Sequence, residues 1–430
     1  KMKLFGQDLL VIQNQLLALI WNIINWGLQF LPSFLFLSSK TKQKPKTSKV
    51  CISITGPGGY DQLNYIDLPS DCIATVGYNI EGLKSPFITT KMSEKFIYKS
   101  DHVIIKTSYF SINYADITIR WGLYESALRY VGWPIVPGFD FSGEVIWAGS
   151  YSGFKEGDHV FGFTLFGAYS SRILVPARQI RLVPKNITLD IAASIPAVTG
   201  TAIHAISIAG GWPQKKILTN NKAVLIYSAA GGVGSMLIQI SKLCGYSPIV
   251  AVVGSSHKVS LCYELGADIV IDKSQYKDGN IWSEVKKSSP KGYIAIFDAT
   301  GIETLSHSYE NLAQCGRLIT YGFHSNLPKA SDLLSPLSWI KMIGGMLTMP
   351  KFDAMAMVVD SKAVMGFNLS FFAEEHELIE AYMNQVVEWI ESGAIKVAEV
   401  TTYPMSDIKK AHELIQSGQS RGKIVVKCEN

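Results

Sequence analysis

An apolar run from Ala223 to Tyr227 leads into Ser228-Ala229-Ala230-Gly231-Gly232-Val233-Gly234, and a helical pattern follows from Met236 to Leu243. Strand, glycine turn and helix in this order leave few folds open. Gly231 lets the backbone approach a pyrophosphate, and Gly234 lets the helix pack close to the strand. The free N–H groups at the helix start then face the phosphates. Ala230, Gly231, Gly232, Val233 and Gly234 are therefore candidate dinucleotide contacts. A glycine motif alone is a weak signal; here its flanks are right and further signals follow at the expected distances.

The next apolar run, Pro248 to Val253, reads as a second strand. A site specific for NAD usually ends this strand with Asp or Glu, which binds the ribose 2′-OH. This chain continues Gly254-Ser255-Ser256-His257-Lys258 instead. Two hydroxyls and a cation suit a 2′-phosphate. The expected cofactor is NADPH, held by Ser255, Ser256 and Lys258. An ordinary polar loop with Ser255 or Ser256 as helix N-cap is the alternative, and both can hold at once. Leu265-Gly266-Ala267-Asp268 ends the next helix, Ile269 to Ile271 starts a third strand, and Lys273 lies just past it, within reach of the same phosphate. Ile294 to Gly301 and Gly316 to Gly322 read as two more strands with their turns. Tyr321 and Phe323 then stand where they would flank a nicotinamide ring.

Further segments carry a resemblance. They are Ser111-Ile112-Asn113-Tyr114-Ala115-Asp116, Arg120, Gly122-Leu123-Tyr124, Val136 to Gly143, Gly157-Asp158-His159-Val160, Ala197 to Ala202, Ala229 to Gly234 and Gly422 to Val426. In order and spacing they resemble the medium-chain dehydrogenase/reductase superfamily, in its zinc-free quinone oxidoreductase (zeta-crystallin-like) branch, over roughly residues 100–428. Val364 to Leu369 is most similar to the VAT-1-like group. The resemblance implies an α/β fold of two bodies. A GroES-like β-rich catalytic domain would span 50–196, completed by 369–430. A Rossmann doubly wound parallel sheet binding NADPH would occupy 197–368. The residues agree, with Val, Ile and Gly turns through 100–196 and alternating strand and helix through 220–325.

The cysteines, Cys51, Cys72, Cys244, Cys262, Cys315 and Cys428, form no CxxC pair. A four-cysteine zinc lobe is not expected, and their scatter suits a reducing compartment. Zinc relatives of the branch carry Gly-His-Glu where this chain has Gly138-Phe139-Asp140, so no catalytic zinc is expected. The carbonyl oxygen must then be polarised by hydrogen bonds. That favours conjugated substrates, quinones or enones, in which charge spreads onto an enolate. The net charge of +5 is modest and much of it sits in one lysine run, which argues against nucleic acid.

By the resemblance, Asn113, Asp116 and Tyr124 line the cleft. The Tyr124 phenol suits a proton donor or oxyanion partner; its alternative is a packed aromatic. Asn113 would orient substrate or ribose, or form an Asx turn. Asp116 is expected to pair with Arg120 as a helical i,i+4 bridge. Thr201 falls where the family holds the carboxamide, and is also suited to a helix start. Asn368 would reach the cofactor from the closing strand. His204 is assigned no role.

Leu9 to Ser39 contains 31 residues without a charge. About twenty apolar residues cross a bilayer. Asn14, Gln15, Ala18, Asn22, Asn25, Gln29 and Ser33 fall within about a 100° helical arc. Such a stripe fits a membrane helix over 9–31 packed on a partner helix; a soluble helix on the enzyme's own surface is the alternative. Residues 1–49 thus comprise a membrane-associated helix and a linker carrying Lys40, Lys42, Lys44, Lys46 and Lys49, placing the enzyme domain on the cytosolic or mitochondrial matrix side. Residues 60–95 suggest an insertion against a membrane or partner. The expected function is a membrane-associated NADPH-dependent reductase of quinones or enones, and the family resemblance implies a homodimer. The alternative is an accessory subunit of a membrane assembly, with NADPH as a structural ligand.

Overall fold

The computed structural model describes residues 49–68, 72–77, 87–89, 101–211, 221–277, 280–324, 348–372, 374–397 and 399–428, with isolated positions in 3–8 and 337–347. The uncharged run at 9–31 lies outside these residues. Among the described residues no helix is long and apolar enough to cross a membrane.

The first body is β-rich. A hairpin pairs β1 (Val50–Ser53) with β2 (Asn64–Asp67). The main sheet takes β3 (Cys72–Val76), β4 (Phe87–Thr89), β5 (His102–Ile112), β6 (Asp140–Ala148), β7 (His159–Phe163), β8 (Arg172–Pro176) and β9 (Ile180–Leu182). Their spatial order is β9-β7-β6-β5-β8-β3-β4. Part of the stretch read as an insertion, residues 60–95, is therefore strand of this body. Two short helices, α1 (Tyr114–Arg120) and α2 (Glu125–Tyr130), follow the long strand β5.

A longer helix, α3 (Pro196–Ile208), starts with proline and leads toward the second body. Its strands are β10 (Val224–Ile226), β11 (Ile249–Val253), β12 (Ile269–Asp272), β13 (Tyr293–Asp298), β14 (Leu312–Thr320) and β15 (Ala363–Gly366). All are parallel, in the order β12-β11-β10-β13-β14-β15. This is the doubly wound arrangement, with its ligand crevice at the carboxyl ends of the strands. The central strands β10, β11 and β13 are buried along their whole length. Helices cover both faces of such a sheet, so uninterrupted apolar runs are what it requires. The glycine turn opens α4 (Gly232–Leu243), and α5 (Val259–Leu265) and α6 (Ile302–Glu310) follow β11 and β13.

The chain then returns to the first body. Helix α7 (His376–Glu391) places Ile379 in the core of the β-rich body and Tyr382, Met383, Val386, Trp389 and Ile390 in the core beneath α3 and α4. Strand β16 (Val400–Pro404), helix α8 (Ile408–Gln416) and strand β17 (Lys423–Lys427) complete the order. β17 pairs antiparallel with β5, Ile424 opposite Ile112, and β16 pairs with β17. The parallel body is thus inserted between segments of one β-rich sheet.

Candidate active site and dinucleotide crevice

Ser228 adopts φ 51°, which turns the chain sharply at the end of β10. Gly231 then caps α4 in an extended conformation. A Cβ at Gly234 would lie 2.4 Å from the Ser228 carbonyl oxygen and 2.6 Å from the Ala229 Cα. Only glycine permits that approach of helix to strand. A Cβ at Gly232 would meet Lys423 Cδ and Val198 Cγ1, both at 2.8 Å. The Ala230 carbonyl accepts from Gly422 N at 3.3 Å, and Val233 packs its side chain against the core. The turn is thus seated on β17 of the other body.

At the end of β11, Ser255 Oγ is buried with no hydrogen-bond partner. A buried hydroxyl left unpaired beside the crevice fits a 2′-phosphate as missing partner. The neighbours differ from expectation. Ser256 Oγ donates to Asp272 Oδ2 at 2.5 Å. Lys258 Nζ donates to the Gly418 carbonyl at 2.5 Å. Lys273 faces Glu303 at 3.6 Å, so its ammonium is turned to a carboxylate rather than to the pocket. Ser255 stands at the N-cap position but makes no side-chain capping bond.

Tyr124 begins α2 at the junction of the bodies. Its OH donates to Asn368 Oδ1 at 3.0 Å, and that oxygen also accepts from Ser370 N at 3.0 Å and Ser370 Oγ at 2.7 Å. The ring packs edge-on to Phe139 and Phe166. Burial raises the Tyr124 phenol above its ordinary value, against the lowering effect of hydrogen bonds to Ser370, Asn368 and Ser126. It is therefore a neutral donor at physiological pH. Asn368 serves here as the acceptor for Tyr124, a tie between the two bodies, rather than as a free cofactor contact.

Asn113 is held on every side. Its Nδ2 donates to Asp140 Oδ2 at 2.8 Å and its Oδ1 accepts from Lys423 Nζ at 2.7 Å. Asp140, fully buried, also accepts from Ser111 Oγ at 2.6 Å and from Ala197 N, in the first turn of α3, at 2.5 Å. Lys423 Nζ lies 3.8 Å from Asp140 Oδ2. This buried pair links β5, β6, α3 and β17. Asp116 does not bridge to Arg120. Its carboxylate accepts from Asn113 N at 2.8 Å and Gly138 N at 3.0 Å. Burial raises it to about 7, although the Asn113 bond and Lys423 lower it. Arg120 instead donates to Gln416 Oε1 and lies 4.2 Å over the Tyr60 ring.

Thr201 sits in the second turn of α3 and donates to the Ala197 carbonyl at 2.7 Å. Tyr321 is half-buried beside Phe367, their ring centroids 6.2 Å apart. Phe323 is 42% exposed and lies against Gly301, where a Cβ would meet it at 2.8 Å. His204 bonds the Tyr382 hydroxyl at 2.9 Å and is packed by Phe367 and Phe372, an ordinary core role. Sequence reasoning missed His324, whose Nδ1 meets the Ala299 carbonyl at 2.7 Å and whose ring stands edge-on to Tyr114 of the other body.

At the position of a zinc-ligating histidine, Phe139 is buried among Tyr124, Phe163 and Phe166. Asp140 beside it is fully engaged. Among the described residues no three His, Cys, Asp or Glu side chains are grouped to hold a metal ion. The residues present do not fit a zinc site.

Two family models match: the alcohol dehydrogenase GroES-like domain over residues 99–185 and zinc-binding dehydrogenase over 265–426. A synaptic vesicle membrane protein VAT-1 homolog of Danio rerio is 27% identical over 336 residues, 77% of this chain; the chain spans 65% of that relative's length. A mitochondrial NAD(P)H oxidoreductase of Bos taurus is 29% identical over 412 residues, 91% of this chain and 95% of its own. Among solved structures, Escherichia coli quinone oxidoreductase complexed with NADPH superposes with a TM-score of 0.67 at 21% identity, covering 88% of this chain and 99% of the other. A human VAT-1 homolog-like protein gives 0.64 at 19%, covering 89% and 98%.

A GroES-like sheet joined to a doubly wound parallel sheet makes a two-body fold with a crevice between. The chain belongs to the medium-chain dehydrogenase/reductase superfamily, and its relatives include quinone oxidoreductases and VAT-1 homologues.

Proposed function

We propose that this chain is an NADPH-dependent reductase that passes hydride to a quinone or an α,β-unsaturated carbonyl without zinc. The carrying observation is the Tyr124 phenol, kept neutral by burial and held at the junction of the two bodies. NADPH, when bound, supplies the hydride. The turn at Gly231 to Gly234 would receive its pyrophosphate, and Ser255 its 2′-phosphate. Tyr124 would turn its O–H from Asn368 to the substrate oxygen, stabilise the developing enolate and deliver a proton. Asn113 has both amide groups engaged and acts by holding the cleft wall rather than by binding substrate directly. The relatives' printed descriptions, a quinone oxidoreductase with NADPH and an NAD(P)H oxidoreductase, support the reading.

The uncharged run at 9–31 is proposed as a tether to a membrane, with the enzyme body on the cytosolic or matrix side. A vesicle-membrane relative and a mitochondrial one are in keeping with that.

The test is NADPH binding and oxidation by the purified chain with a panel of quinones and enones. Tyr124→Phe and Gly231→Asp are run beside it. Turnover that Gly231→Asp abolishes and Tyr124→Phe reduces is expected. Binding without turnover on every substrate would favour an accessory subunit with a structural nucleotide. No binding would overturn the cofactor reading.

A further inference from the structure

We propose that Asp272 restrains the preference of this site for a 2′-phosphorylated dinucleotide, by engaging Ser256 and by setting a negative charge at the rim of the phosphate pocket. The proposal rests on the NADPH reading above.

Asp272 is the last residue of β12 and stands opposite Val253, the last residue of β11. Its carboxylate therefore rises at the same sheet edge as Gly254 and Ser255. It gathers four donors: Ser256 Oγ at 2.5 Å, Ser274 N at 3.0 Å, Ser274 Oγ at 2.7 Å and Gln275 Nε2 at 3.3 Å. Partial burial raises the carboxyl, but these donors outweigh it and hold it below the ordinary range. Asp272 is thus charged at any working pH.

Ser256 has one proton, and it goes to Asp272. Its oxygen meanwhile accepts from Gln275 Nε2 at 2.9 Å. A hydroxyl so placed has no hydrogen left for a phosphate. Ser255, with its unpartnered buried Oγ, remains the donor. The other polar side chains at the rim are also engaged: Lys258 by the Gly418 carbonyl, His257 by the Gln419 carbonyl at 3.2 Å, Lys273 by Glu303. A dianionic 2′-phosphate entering here meets a fixed carboxylate. A ribose diol meets no such repulsion, because it is neutral.

Dissociation constants of NADPH and NADH, measured by fluorescence titration at low and high salt, test this for the unsubstituted protein and for Asp272→Asn, Ser255→Ala and Ser256→Ala. Asparagine removes the charge and keeps one acceptor oxygen for Ser256, while its amide nitrogen no longer accepts from Ser274. Asp272→Asn should bind NADPH roughly three- to tenfold tighter at low salt, with the gain shrinking at high salt and no gain for NADH. Ser256→Ala should leave NADPH affinity within about twofold, while Ser255→Ala weakens it by roughly fivefold or more. Unchanged NADPH affinity in Asp272→Asn, or equal losses in the two serine variants, overturns the proposal while the NADPH reading stands. Failure of the unsubstituted protein to bind either dinucleotide overturns both.

Discussion

Lys423 and Asp140 meet across the base of the crevice, ammonium to carboxylate at 3.8 Å, the lysine 5% exposed and the aspartate wholly buried. One comes from the last strand of the chain and the other from β6. The lysine stem also lies under Gly232 of the dinucleotide turn. The pair thus sets the height of the turn over the catalytic wall.

Removing one partner of a buried ion pair leaves the other charge uncompensated. Lys423→Met should destabilise the protein by roughly 3–5 kcal/mol. Lys423→Met combined with Asp140→Asn should recover part of that loss. Urea unfolding of the three proteins measures both, and a double variant no more stable than the single one would refute the coupling.

Gly234→Ala puts a methyl group 2.4 Å from a backbone oxygen that cannot move without shifting β10. The expected cost is roughly 1–3 kcal/mol, together with weakened NADPH binding. Thermal unfolding and a cofactor titration read the two effects separately.

Tyr124→Phe keeps the ring against Phe139 and Phe166 and removes only the hydroxyl. If the phenol is the proton donor, kcat should fall roughly a hundredfold or more, while stability changes by about 1 kcal/mol. An unchanged kcat would show that the hydroxyl is not the proton donor.

Asp116 is raised to about 7 by burial. Its folded form therefore holds a proton that the unfolded chain has already released above about pH 4. Between those values the folded state binds more protons, so stability from this group falls as pH rises, and the loss is complete just above 7. Asp116→Asn should flatten that slope. Urea midpoints at pH 5, 6 and 8 for both proteins decide it.

The parallel body was legible because its signals are local. The glycine turn, the apolar strand runs and their spacing lie within short windows, and the strands β10 to β14 formed where the runs predicted. The site was legible only where one residue acts alone. The spacing of Asp116 and Arg120 suggested a helical i,i+4 bridge, but both side chains are buried and find other partners. Asp116 turns to the Gly138 and Asn113 amides, and Arg120 turns to Tyr60 and Gln416. Lys273 followed a strand as expected, yet Glu303 on α6 faces it at 3.6 Å. No window of sequence joins Lys423 to Asp140, or Asn368 to Tyr124. The first contact exists only once the last strand returns to the β-rich sheet, and the second only once the two bodies close.

The return of β17 to β5 has a consequence for synthesis. Lys423 bonds the Ile112 carbonyl across 311 residues. On a ribosome adding about 5–20 residues per second, one edge of β5 waits roughly 15–60 s for its partner. The inserted parallel body emerges complete in that interval. Until then that edge of β5 lacks its last partner, so the β-rich half, begun first, is the half completed last.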